Sequence, residues 1–320
     1  MRLPSGESGQ APAVLVGYDG SRNARAALGW ALREAERRRA PVALIYVYEW
    51  GISPGPVPAG STWPDRSARR EAEAAVAEVV GEAQARHPAV PLTGTVIDGL
   101  VVPHLRGLSE QAQLLVLGDR GLGGFPELRA GSVATELTAR ARCPVVVVRG
   151  CAPAPRPVVV GVDDSPDSSV AIRFAYEYAA AHQIGVVAAR ACQPPPVPRR
   201  PDSSPAHPPR GHETEQRRLA EQLLQSWADR YPAVDTELRC WSGAPAPTLI
   251  SASTQAQLVV VGAHGHRGAG AGPIGPTAGH LIQHAHCPVA VVRWSESVHQ
   301  PRPRTSAESA GRRGLTAQLR

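Results

Sequence analysis

The chain has 320 residues, 42% of them apolar and 19% charged, with a formal net charge of +6, a globular composition of about two-domain length. No apolar run approaches the ~18 residues that cross a bilayer, and residues 1–12 lack the apolar core of a signal peptide, so a cytoplasmic protein with no membrane partner is expected. Five Arg against two Glu fall between Ser295 and Arg320, half of the surplus, and no arginine stripe with interleaved aromatics is present, so no nucleic-acid partner is expected.

The run Val14-Leu-Val-Gly17-Tyr-Asp19 is apolar and ends in turn residues, predicting a buried strand. Ser21 is placed to cap the next helix, in which Ala24, Ala27, Leu28, Ala31, Leu32 and Ala35 recur at helical spacing. A strand follows over 42–48, then a Pro/Gly-rich loop over 51–64. A long helix over 65–86 comes next, where Arg70 and Glu73 are spaced to pair. Strands over 92–97, 114–117 and 144–149, with helices over 102–109 and 132–140, complete the unit. The second half repeats this order, with strands over 158–163, 185–191, 235–240, 258–262 and 288–293 and helices over 168–181 and 213–230. Residues 150–157 read as a linker. Residues 193–211 carry eight prolines and predict a polyproline-like segment. The expected domains are 12–149 and 157–294, with 295–320 a disordered tail.

Strands alternating with helices imply right-handed crossovers and a parallel sheet covered on both faces. The fold class is therefore α/β, with two tandem doubly wound five-stranded sheets. Ligands in such sheets sit at the strands' carboxyl ends, where the strand order reverses.

The two halves are in fixed register. Gly17 matches Gly161, Asp19 matches Asp163, Gly118 matches Gly262, Gly121 matches Gly265, Gly131 matches Gly275 and Arg149 matches Arg293, each pair 144 residues apart (161 − 17). This is a duplicated domain, since solenoid repeats run at about 20–50 residues. The repeated positions are mostly glycines at strand ends plus one acid, which points to a ligand site written twice.

After the fourth strand the first copy reads Gly118-Asp-Arg-Gly121, then nine residues, then Gly131-Ser132 opening a helix. Glycines let backbone N–H groups approach a phosphate, and the helix N-terminus adds donors and a favourable dipole. Ser132 adds a hydroxyl. The chain contains no lysine, which removes the Walker A motif, Schiff-base chemistry and the protein-kinase lysine; the glycine loop needs none. Cys143, Cys151, Cys192, Cys240 and Cys287 form no CxxC, so neither zinc nor a disulfide framework is expected.

Val16-Gly-Tyr-Asp-Gly-Ser21, Val116-Leu-Gly-Asp-Arg-Gly121, Gly131-Ser132 and Cys143-Pro-Val-Val-Val-Val-Arg149 together resemble the universal stress protein family in its tandem form, over about residues 12–150 and 156–294. G-x2-G-x9-G-[ST] is that family's ATP-binding signature. The resemblance implies a 3-2-1-4-5 strand order and ATP as ligand, with Mg an optional companion. It places Gly17 and Asp19 near the nucleoside, the Val47 backbone at the adenine, and Gly118, Arg120, Gly121, Gly131 and Ser132 around ribose and phosphates. Two readings stay open beside these: Asp19 as a turn carboxylate next to Ser21, and Val47 as plain strand packing.

The second copy keeps Gly161, Asp163, Gly262, Gly265 and Gly275 but has Pro276 where the first has Ser132. Proline lacks an N–H and a hydroxyl, yet is comfortable at a first helical position. Thr277 offers a hydroxyl one residue late. The second site is therefore expected to bind nucleotide weakly or not at all. His280 and His284 have metal-ligand spacing, but no acid or Cys completes a set, and a solvated helix face is expected instead. Strand five of each copy is apolar and at the sheet edge, a pairing hazard. The two copies could pair there within one chain, leaving a homodimer open. The function expected is a nucleotide-binding stress or signalling protein without a catalytic residue. The alternatives are a slow ATPase, for which Asp119 is the candidate acid, and a pairing scaffold that binds no nucleotide.

Overall fold

The computed structural model describes residues 12–49, 66–122, 130–150, 155–192, 210–265 and 272–294. The expected 51–64 loop, residues 193–209 of the proline-rich segment, His266 and the 295–320 tail lie outside the described residues. In the first copy β1 (Val14–Tyr18), α1 (Arg22–Arg38), β2 (Val42–Tyr48), α2 (Arg66–Arg86), β3 (Leu92–Asp98), α3 (Val101–Ser109), β4 (Leu114–Gly118), α4 (Ser132–Arg140) and β5 (Val145–Val148) follow in order. The second copy has β6 (Val158–Gly161), α5 (Pro166–His182), β7 (Val186–Cys192), α6 (Arg210–Arg230), β8 (Thr236–Ser242), α7 (Pro245–Ala252), β9 (Leu258–Gly262), α8 (Pro276–His284) and β10 (Val289–Val292).

Each half is a parallel sheet of order 3-2-1-4-5, and the strands run β3-β2-β1-β4-β5-β10-β9-β6-β7-β8. The halves are therefore one ten-stranded sheet, joined by antiparallel pairing of β5 and β10 with Val146 opposite Ala290. The central strands are Val/Leu runs buried on both faces, as parallel strands covered by helices require. Among the described residues no helix is long and apolar enough to cross a membrane.

Local chemistry explains the elements. Ser21 caps α1 by accepting from the Ala24 N–H at 3.1 Å, and the helix buries Ala24, Ala27, Leu28, Ala31, Leu32 and Ala35, the stripe its spacing predicts. Glu73 pairs with Arg69 at 3.4 Å, at i,i+4 spacing, one residue earlier than the Arg70 pairing expected. Helix α7 went unforeseen because Pro245-Ala-Pro247 reads as loop. Both prolines lie in its first turn, where the missing N–H groups have no intrahelical acceptor, and Leu249 anchors it in the core.

The seam joining the copies is polar as well as apolar. Arg149, past β5, donates to the Ile282 carbonyl of α8 at 2.8 Å, and its counterpart Arg293 donates to the Ala139 carbonyl of α4 at 2.6 Å. Each arginine thus reaches the last turn of a helix in the other copy, where orphan carbonyls and the negative dipole end favour a cation. Trp30 of α1 stacks on Tyr178 of α5 with ring centroids 6.3 Å apart. Buried Glu34 of α1 lies 2.8 Å from His182 Nε2 of α5 and accepts from Arg38. Burial opposes its ionisation, but these partners outweigh it and hold the carboxyl below its usual range.

Candidate functional site

Strand β1 lies between β2 and β4, so the order reverses there and a crevice opens at the carboxyl ends of β1 and β4. Pairing of β1 with β2 stops at Tyr18 and Tyr46, whereas pairing of β2 with β3 runs on to Tyr48 and Asp98. The Val47 backbone therefore passes beyond the end of β1 and borders the crevice. Its side chain packs on the α3/α4 face of the core, so the packing reading also holds for that residue.

Asp19 organises the first crevice. Its Oδ1 accepts from the Ser21 N–H at 3.0 Å, and its Oδ2 accepts from the Leu122 N–H at 2.8 Å. One carboxylate thus ties the end of β1 to both the α1 cap and the glycine loop. The turn reading is correct as far as it goes, and each oxygen keeps a second lone pair. A Cβ on Gly121 would collide with Asp19 Oδ2, which is why the loop has glycine there. Ser21 Oγ donates to the Arg120 carbonyl at 3.4 Å, fixing the Arg120 backbone while its side chain stays exposed.

Two loop glycines act otherwise than expected. The Gly131 N–H donates to the Asp119 carbonyl at 2.7 Å, so this N–H closes the base of the loop. A Cβ on Gly118 would lie 2.7 Å from the Asn23 backbone carbon, so Gly118 permits close packing of β4 on the first turn of α1. Gly17 makes the same kind of approach to Leu117, at 2.6 Å from its Cδ2. The remaining backbone donors at this crevice are those of α4. Its N-cap Gly131 provides no side-chain cap, leaving the first-turn N–H groups beside the exposed Ser132 without an intrahelical acceptor. Asp119 carries the field of Arg149 and Arg120, yet burial dominates and raises its carboxyl above the usual value. The nearness of Arg149, which reaches into the second copy, places Asp119 toward the seam.

The second crevice is built on the same frame. Asp163 Oδ1 accepts from the Ser165 N–H at 2.9 Å and from Ser165 Oγ at 2.5 Å, the His264 carbonyl lies farther from that hydroxyl at 3.3 Å, and the Gly275 N–H donates to the Ala263 carbonyl at 2.7 Å. A Cβ on Gly265 would lie 2.7 Å from Asp163 Oδ2, and one on Gly262 would lie 2.6 Å from Asp167 Cβ. The crevice encloses about 350 Å³, lined by Gly161, Asp163, Gly262, Gly265, Gly275 and Thr277 among others. All six expected residues are brought together.

Its chemistry differs at both ends. At one end Pro276 is the first residue of α8 and no side chain caps the helix, so the N–H and the hydroxyl that Ser132 has in the first copy are both missing. At the other end Arg190 of β7, 5% exposed, makes a two-pronged pair with Asp164 at 3.0 and 2.9 Å. Both line the cavity. In the 144-residue register their counterparts are Tyr46 and Gly20, an aromatic ring and a bare backbone. The sequence reading missed this pair, although one Arg inside an otherwise apolar strand was a visible signal. Among the described residues no group of three His, Cys, Asp or Glu side chains could hold a metal. His280 instead bonds the Pro276 carbonyl at 2.7 Å.

The family model described as "Universal stress protein family" matches residues 12–149 and again 155–293. A universal stress protein of Mycobacterium tuberculosis is 32% identical over 313 residues, covering 88% of this chain and 94% of its own length. One from Mycolicibacterium smegmatis is 34% identical over 301 residues, with 88% and 96% covered. Among solved structures, a universal stress protein from Archaeoglobus fulgidus aligns with a TM-score of 0.68 at 17% identity, covering 90% of this chain and 98% of that one, a likeness of fold.

Proposed function

The chain belongs to the universal stress protein family, and we propose that it is a regulatory adenine-nucleotide-binding member whose first copy holds ATP, while the second binds nucleotide weakly or not at all. The observation that carries this is the uncapped N-terminus of α4, set beside a glycine loop that Asp19 ties down at the Leu122 N–H. Free first-turn N–H groups and the positive dipole end favour phosphate there. Ser132 adds a hydroxyl, and the β2 backbone past the end of β1 is left to meet a base. ATP needs no lysine in such a site.

Both Asp19 oxygens hold backbone N–H groups and Asp119 is part-buried in the fields of Arg149 and Arg120, so the proposal assigns no metal ligand and no water-activating base. Nucleotide occupancy, rather than turnover, is the regulated variable. Pairing of β5 with β10 would keep the copies together in solution without a second chain. Native mass spectrometry of the purified protein tests the reading. One adenine nucleotide per chain, lost on Gly131→Val/Ser132→Pro, supports it. A protein that carries none and takes up none is a pairing scaffold, and phosphate release above that of Gly121→Val makes it an ATPase.

A further inference from the structure

A second depression, about 790 Å³, opens along the seam between the copies, away from both crevices. Arg38, Arg106, Arg140 and Arg142 reach it from the first copy and Arg173 and Arg293 from the second, against the acids Glu110 and Glu177. Three of the arginines are committed: Arg38 to Glu34, Arg140 to Glu136 at 3.3 Å, and Arg293 to the Ala139 carbonyl. Among the described residues no carboxylate comes within 4.0 Å of Arg106, Arg142 or Arg173. Arg293 titrates below its usual value through burial, which the attraction of Asp167 opposes and the smaller repulsion of Arg142 reinforces. Six arginines against Glu110, Glu177 and the paired Glu34 and Glu136 leave the groove with a surplus of positive charge.

The duplication supplies an internal control. In the 144-residue register the counterparts of Arg38, Arg106, Arg140, Arg142 and Arg173 are His182, Ile250, His284, His286 and Gly29. Only Arg293 has an arginine counterpart, Arg149, and that pair serves the helix ends. The fold therefore requires Arg293 among these six and leaves the rest optional, yet the optional ones converge from both copies on one groove. Concentrating like charges is unfavourable unless something of opposite sign binds. The groove volume is that of a small-ligand site. The guanidinium fork matches phosphate oxygens in a bidentate way, and three uncommitted forks across one groove need several anionic centres in one ligand.

We propose that the seam groove is an anion site for a chain of linked phosphates, with Arg106, Arg142 and Arg173 as its uncommitted contacts. The source is either an inorganic polyphosphate or the phosphate tail of a nucleotide. This site is independent of the glycine-loop reading.

Calorimetry with inorganic tripolyphosphate on the full chain at low salt tests it. Arg106→Gln/Arg142→Gln/Arg173→Gln is expected to weaken binding at least about tenfold, the loss of one or two charge-assisted contacts. The exposed pair Arg106→Gln/Arg142→Gln should weaken it several-fold with an unchanged melting temperature. A control of equal charge change on the outer helices, Arg86→Gln/Arg217→Gln/Arg218→Gln, should bind as the wild type does, and the Gly121→Val chain should keep a tripolyphosphate site that the three groove substitutions weaken. In the Gly121→Val chain, competition by ATP assigns a nucleotide tail, and its failure assigns the inorganic chain. Equal loss in the control, loss only in Gly121→Val, or equal binding of a short polyglutamate would each overturn the proposal.

Discussion

The two crevices share a scaffold down to individual hydrogen bonds, and they differ at the ends where a ligand would be read. In both, an aspartate takes a backbone N–H two residues on, a serine hydroxyl caps the next helix, and a glycine N–H closes the loop at 2.7 Å. In the first, Ser132 opens α4 and Tyr46 and Gly20 stand at the nucleoside end. In the second, Pro276 opens α8 and the Arg190–Asp164 pair stands there. Duplication preserved what positions the backbone and released what touches the ligand. Shared geometry therefore does not imply shared function.

The strongest way to break the comparison is a pair of matched loop variants. Gly121→Val should lower ATP affinity about a thousandfold, as two or more charge-assisted hydrogen bonds are lost when the loop leaves Asp19. Gly265→Val should leave the tight site unchanged; equilibrium dialysis checks both. Next comes the seam. Folding holds Glu34 below its ordinary value of 4.5, so its ionised form contributes stability at neutral pH that is lost as pH falls through the folded-state value. Glu34→Gln should destabilise by about 3 kcal/mol at neutral pH, since it leaves a buried pair half broken. Urea titrations should show that gap narrowing as pH drops below the carboxylate range.

A smaller effect sharpens the contrast between the helix N-termini. Ser132→Pro should weaken ATP binding about tenfold by removing an N–H and a hydroxyl, and Pro276→Ser should strengthen any second-site binding by a similar factor. Calorimetry reads both. The smallest effects fall where the copies are alike. Arg149→Ala and Arg293→Ala should each lower stability by about 1 kcal/mol, nearly equally, in thermal melts at fixed pH.

Much of this was legible in the sequence, for identifiable reasons. The apolar strands, the Ser21 cap and the alternation of elements follow from local patterning, and the fixed offset between copies marks the crevice positions. Gly121 was found from its register with Gly265 and the glycine spacing, and only the structure shows that a Cβ there would strike Asp19. The roles of Gly118 and Gly131 were not legible, because packing on Asn23 and a hydrogen bond to Asp119 depend on which segments meet in space. The Arg190–Asp164 pair joins residues 26 positions apart, so its charges could be seen but not their partnership. Helix α7 was hidden by prolines that the first turn of a helix tolerates.

The central claim is asymmetry, and the number of ATP molecules the unaltered chain binds tests it most directly. Calorimetric titration of the full chain should give one tight site per chain, with any second site weaker by at least about tenfold, the scale of one lost phosphate donor. Two sites of equal affinity would contradict the account.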